Sequence, residues 1–242
     1  KKRKTVRFRF ADLRRGGRVW LTREHVAISV QPARIDGPWD RTMGFEEHTD
    51  AVVAVWANAA LPADASLQSK PKGAEPAFLV GEGLPGLQSF AMVGTRVVTA
   101  HAGQSYDESI LRVWELGEAK ARATKTIAER VQTVVLRPDG KQVAYLGDAV
   151  AVLDETLSPV ARSTKKETPS PIGETLLYGP TGDFLVSASS TDLIVWDGAT
   201  ARKAASAPIP DPKHKGGRRH FVKHVTRDRV LLVEPALLFG LS

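Results

Sequence analysis

The sequence predicts an all-β protein built from repeated four-stranded antiparallel sheets, and three observations carry that prediction. First, "FLVSASSTDLIVWDG" (184–198) and "RVVTAHAGQSYDESILRVWELG" (96–117) share one plan: a short β-branched strand, a small polar turn, then an apolar run closing on Trp and an acid. A third copy, "VVLRPDGKQVAYLGDAVAVLD" (134–154), has Leu153 where the others have Trp, and "FVKHVTRDRVLLVEPALLF" (221–239) begins a fourth. Second, Trp114, Leu153 and Trp196 are 39 and 43 residues apart. Third, no amphipathic 3.6-residue period runs past about two turns, so no helix of ordinary length is predicted.

A period of roughly 40–45 residues is that of four-stranded propeller blades. We therefore expect a β-propeller with about five to six blades in this chain, an incomplete ring or a piece of a longer propeller. The elements follow in order. "TVRFRFADLRRGGRVWLTREHVAISV" (5–30) and "DAVVAVWANA" (50–59) have a strand–turn–strand rhythm without the full repeat. "LPADASLQSKPKGAEP" (61–76) is rich in Pro, Ala and Ser and reads as a long loop between the strands Ala51–Trp56 and Ala77–Val80 of one blade. In "RPDGK" (137–141), Pro138 fixes φ and Gly140 accepts the left-handed conformation that closes a hairpin; "GPTGD" (179–183) does similar work one repeat later. Leu193, Ile194, Val195 and Trp196 are apolar in succession, which predicts burial on both faces of the strand, between neighbouring blades.

The 242 residues are 42% hydrophobic and 25% charged, ordinary for a folded chain. We read residues 1–242 as one domain, with degenerate blades over 1–86, the insertion near 61–76, clearer blades over 87–242 and a truncated last one. There is no cysteine, so disulfides, thiol chemistry and Cys-ligated zinc are excluded, and a reducing cytoplasm is the expected compartment. No stretch approaches the roughly 18 consecutive apolar residues of a membrane span, and no membrane partner is expected. The chain does not begin with Met and stops inside an apolar run, so it reads as a piece of a larger protein. Its Ala- and Arg-rich composition points to a bacterial source with a GC-rich genome.

"SILRVWELG", "PDGKQVAYLGDAVAVLD" and "GDFLVSASSTDLIVWDG" resemble the blades of WD-repeat proteins, and the resemblance covers roughly residues 87–240. It implies a rigid scaffold that binds other proteins and catalyses nothing itself. Members of that family often carry a Gly-His pair whose His joins a network to the blade Trp. No Gly-His pair occurs here, so that network is absent or altered.

Several stretches bear on catalysis, and each has a structural reading. "GEGLPG" (81–86) satisfies Gly-x-Gly-x-x-Gly, but a dinucleotide site needs a helix to follow, and "LQSFAMVGTRVVTA" is strand-like. We expect a connection between blades. "VVTAHAG" (97–103) is similar to the strand holding the catalytic His of trypsin-like proteases, yet no Gly-Asp-Ser-Gly or Gly-x-Ser-x-Gly supplies a nucleophile. His101 is expected at a blade turn, on the second-strand position of a repeat. His214, His220 and His224 have no Cys partner, and Asp211 and Asp228 nearby are set among Arg and Lys, so solvated histidines of a basic loop are expected and no metal site. Glu46, Glu47, Asp107 and Glu108 have no evident catalytic partner. No catalytic residue and no cofactor are expected.

Charge is the most informative functional feature. Residues 1–24 hold ten Lys/Arg against two acids, a net of +8, and residues 202–229 hold nine against two, a net of +7. The whole chain is +7, so the remainder carries −8. A closed ring brings first and last blades together and joins the two basic segments into one sector. Lys213, Lys215, Arg218, Arg219 and Lys223, with Arg14, Arg15 and Arg18, are the candidate partner-binding residues. Gly216 and Gly217 predict that "KHKGGRRH" (213–220) is a loop unconstrained by core packing. The expected partner is an acidic protein surface or a neighbouring domain. Nucleic acid is the alternative, for which Phe8, Phe10 and Phe221 are the aromatics nearest the cations; alternation in "VRFRF" assigns the first two to core packing.

Overall fold

The computed structural model describes residues 19–21, 24–30, 52–57, 78–80, 86–118, 120–164, 175–188, 192–209, 221–226 and 230–233. Among these residues every regular element is a strand. The first sheet contains β1 (Val19–Leu21), β2 (His25–Val30), β3 (Val52–Ala57) and β4 (Phe78–Val80). The second contains β5 (Leu87–Val93), β6 (Arg96–Ala102), β7 (Ser109–Glu115) and β8 (Ala123–Ile127). The third contains β9 (Thr133–Leu136), β10 (Gln142–Leu146), β11 (Val150–Asp154) and β12 (Pro159–Arg162). The fourth contains β13 (Thr175–Tyr178), β14 (Phe184–Ala188), β15 (Asp192–Asp197) and β16 (Lys203–Pro208). A fifth pairs β17 (Phe221–Val225) with β18 (Val230–Val233). Strands follow chain order within every sheet, each antiparallel to the last.

Register places the repeat residues at equivalent points. Trp114, Leu153 and Trp196 lie on the third strands of successive sheets, opposite Val97, Val143 and Leu185, each the second residue of its second strand. Trp56 on β3 stands opposite Val26, the second residue of β2, and completes the series. It precedes Trp114 by 58 residues, so the even spacing fails there. The extra length lies between β3 and β4, which pair with each other in one sheet.

The sheets stack face on face, and each seam is a separate apolar core. Ala27, Val53 and Val55 of the first sheet meet Phe90, Met92, Val97 and Trp114 of the second. Leu111 and Val113 meet Val143, Tyr145 and Leu153 of the third. Val150 and Val152 meet Leu185, Ile194 and Trp196 of the fourth. Val186 and Ala188 meet Val225 of the fifth. β10 and β11 are therefore buried on both faces. β15 differs from its expected two-sided burial: Ile194 and Trp196 are buried, but Leu193 and Val195 are only half-buried, and Leu193 lies on the seam toward the fifth sheet.

The first strands adjoin one another, β5 with β9, β9 with β13 and β13 with β17. Arg96, at the β5–β6 hairpin, donates to Gly140 O (2.6 Å) in the β9–β10 hairpin and pairs with Glu155 (3.0 Å) in the β11–β12 turn. These turns therefore share one end of the stack. The opposite end carries the β6–β7 and β10–β11 connections and the sheet-to-sheet connections, where Val131 N donates to Ser109 Oγ (2.9 Å). No helix among the described residues is long and apolar enough to cross a membrane.

Candidate interaction surface

The three letters Trp-Asp-Gly that close the repeat have separate structural jobs. Trp196 is fully buried and its indole N–H donates to Ser187 Oγ on the neighbouring strand (2.9 Å). Trp114 makes the same bond to Thr99 Oγ1 (2.9 Å), and Thr99 and Ser187 occupy the same position in β6 and β14. The Asp197 carboxylate turns outward and accepts from Thr200 N, Thr200 Oγ1 and Ala199 N, tying the turn to the end of β15. Those hydrogen bonds hold its pKa below the ordinary value, the Thr200 hydroxyl first. Gly198 lies against the preceding hairpin so closely that an added Cβ would fall 2.4 Å from Gly182 O, so only glycine fits. Asp154 repeats the cap in the third sheet through Thr156 and Ser158.

The third sheet, with Leu153 instead of Trp, is wired differently. Tyr145 occupies the position of Thr99 and Ser187. Its hydroxyl donates to Glu129 Oε1 (2.8 Å) and accepts from Arg162 Nη1 (3.0 Å). Glu129 is buried on the connection between the second and third sheets, and Arg162 grips both its oxygens (2.5 and 3.0 Å) while Asp148 N donates to Oε2 (2.7 Å). Burial and the Glu129 carboxylate push the Tyr145 phenol far up. Gly147 leaves the space: a Cβ there would lie 2.7 Å from Glu129 Oε2. This knot fixes the connection at the loop-bearing end of the stack. Immediately beside it Arg130 is exposed, its guanidinium carbon 4.9 Å from the ring centre of Tyr106.

No family model and no curated protein matches the chain. Solved structures do. The β-propeller domain of Swd1 from Myceliophteria thermophila is 14% identical with a TM-score of 0.55, covering 85% of this chain and 57% of that one. The WD40 domain of Toxoplasma gondii coronin is 18% identical with a TM-score of 0.55, covering 86% and 47%. KlHsv2 with loop 6CD replaced by a Gly-Ser linker is 14% identical with a TM-score of 0.57, covering 90% and 61%. The fold is that of a β-propeller. The chain spans about half to three fifths of those solved chains, and the five stacked sheets are consecutive blades.

In the propeller the tempting motifs lie on strands or between them. The Gly-rich stretch 81–86 joins β4 to β5, the last strand of one blade to the first of the next, and no helix follows it. His101 is inside β6 rather than at a turn, and it is buried. His224 lies on β17; His214, His220, Glu46 and Glu47 lie outside the described residues. Among the described residues no group of three or more His, Cys, Asp or Glu is placed to hold a metal ion.

Of the candidate basic residues, Lys223 is on β17, and Arg14, Arg15, Arg18, Lys213, Lys215, Arg218 and Arg219 lie outside the described residues, as does the 61–76 loop. Strand polarity still places their points of attachment. The 210–220 segment leaves β16 and enters β17, and residue 18 precedes β1, so both join the propeller at the end that carries Tyr106 and Arg130. Sequence reasoning passed over Tyr106, Glu129, Arg130 and Arg162. Tyr106 and Arg130 are 24 residues apart on different connections, and only the stacking of blades pairs them.

Proposed function

We propose that the chain is a non-enzymatic protein-interaction scaffold, one propeller domain over residues 1–242 within a larger bacterial protein of the cytoplasm. The observation that carries the reading is the stack of blades whose sheet-to-sheet connections share one end. There the described connections are pinned by buried side chains, and the basic segments around Arg14–Arg18 and Lys213–Arg219 are attached. Loops on a rigid scaffold are where partners bind. The fold supports protein partners in general. The excess of Lys and Arg on the attached segments favours an acidic protein surface or a neighbouring acidic domain, which long-range attraction would steer onto this end.

Nucleic acid is the competing occupant of a basic surface, and salt separates the two. The chain is titrated with RNA and with DNA at low and at near-physiological salt. A scaffold for proteins gives weak binding with no defined stoichiometry. Tight binding whose affinity falls steeply with salt, as counterion release from phosphates requires, overturns the protein reading.

A further inference from the structure

The loop-bearing end holds one exposed aromatic that the fold has already oriented. Tyr106 is 68% exposed at the tip of the β6–β7 connection. Arg130, from the connection between the second and third blades, stacks on its ring at 4.9 Å and donates Nη1–H to its hydroxyl. Both partners are held from behind. The Tyr106 loop is closed by Gly103 N to Glu108 O (2.9 Å), Gln104 N to Glu108 Oε1 (3.0 Å) and Glu108 N to Ser105 O (3.2 Å). Arg130 lies between two buried residues: Glu129, gripped by Arg162 and Tyr145, and Val131, whose N–H is held by Ser109.

A stacked guanidinium is already oriented, so little conformational freedom is lost when its fork receives an oxyanion. Among the described residues Tyr106 is the only hydrogen-bond partner of Arg130, which leaves Nε and Nη2 free to donate in parallel. Such a fork fits a carboxylate through two charge-assisted bonds. The ring beside it offers apolar surface, and Tyr and Arg are the residue types that dominate binding energy at protein interfaces. Asp107, next to Tyr106 on the same connection, is exposed and repels a run of acids. We propose that Tyr106 and Arg130 form the anchor for an extended protein segment presenting one Asp or Glu carboxylate next to an apolar side chain. The proposal rests on the protein-scaffold reading and names a contact within it.

The test is selection of a displayed library of random linear peptides on the chain, followed by titration of the enriched peptides, labelled with a fluorophore, by anisotropy. Enriched peptides are expected to share one acid beside an apolar residue. Arg130→Ala, Tyr106→Ala and replacement of the peptide acid by its amide should each weaken binding about tenfold or more, the size of losing a charge-assisted pair, with circular-dichroism melts unchanged. Arg130→Lys should recover only part, because a lysine lacks the fork. Peptides that ignore both substitutions but lose affinity in the Arg218→Glu, Arg219→Glu double variant would overturn this anchor and leave the scaffold reading standing. Peptides with no acid in common, or no enrichment, would also overturn it.

Discussion

The indole nitrogen of Trp196 donates to Ser187 Oγ across 2.9 Å in a seam where Trp196 is fully buried. The bond satisfies the one polar atom of the largest side chain between the third and fourth blades. Trp196→Ala should therefore cost about 3–5 kcal/mol, a large share of the roughly 5–15 kcal/mol that holds a domain together. Ser187→Ala removes little volume but strands the indole N–H, which costs about 1–3 kcal/mol. Chemical denaturation of the two variants checks the ranking; coincident curves for Trp196→Ala and the parent would show that the residue is not core.

Two buried tyrosines should respond in opposite directions to loss of the hydroxyl. Tyr145 bridges Glu129 and Arg162, so Tyr145→Phe takes a hydrogen bond from a buried carboxylate and should cost about 1–3 kcal/mol. Tyr178 is also buried, on the seam between the third and fourth blades, but its hydroxyl has no hydrogen-bond partner among the described residues. Tyr178→Phe removes an unsatisfied polar group and should stabilise by about 1 kcal/mol, or about 2–4 °C in Tm for a chain of this size. Melting both variants side by side is decisive, since equal losses would mean that the two hydroxyls do the same work.

The repeat was legible because blade packing repeats its demands on composition. Each third strand needs a large apolar residue near its end, and Trp114, Leu153 and Trp196 supply it at a spacing that no helical pattern imitates. Trp56 stands at the same register position, but the chain between β3 and β4 breaks the period that would have pointed to it. Glu129 and Arg162 were invisible for another reason. They meet across 33 residues, and a lone Glu before an Arg reads as a solvated pair until the fold buries one of them. The expected two-sided burial of β15 was half right, because an apolar run reports that a face can be covered and not how fully its neighbour covers it.

The capped turns predict an acid-sensitive fold. Hydrogen bonds from the Thr156 hydroxyl and the Ser158 backbone lower the pKa of Asp154, and those from Thr200 and Ala199 lower that of Asp197, both from an ordinary 3.8. A carboxylate whose folded pKa lies below its unfolded value contributes stability above the unfolded value and loses it as pH falls through the folded one. The Tm should hold steady from neutral pH down to about 5 and then fall below about 4. Asp197→Asn keeps an acceptor for Thr200 but no longer titrates, so its Tm at neutral pH should be slightly lower and its decline below pH 4 shallower. A variant that falls as steeply as the parent would show that Asp197 contributes nothing to acid sensitivity.

Reversing the charges of Arg218 and Arg219 should alter binding without altering the fold. The two arginines follow Gly216 and Gly217 in the segment between β16 and β17, which joins the propeller at the end carrying Arg130. Substitutions in a loop that core packing does not constrain, as Gly216 and Gly217 predict here, usually shift stability by less than about 0.5 kcal/mol, so the Arg218→Glu, Arg219→Glu double variant should melt with the parent. If the attached basic segments steer an acidic partner, reversal should slow association more than it speeds dissociation. The difference from the parent should be largest at low ionic strength and shrink as salt shortens the screening length toward a few ångströms. Stopped-flow or surface-based association rates against an acidic partner protein, taken across a salt series, measure this directly. Equal rates at low salt would assign the basic segment to a solvated surface and leave recognition to the stacked pair of Tyr106 and Arg130.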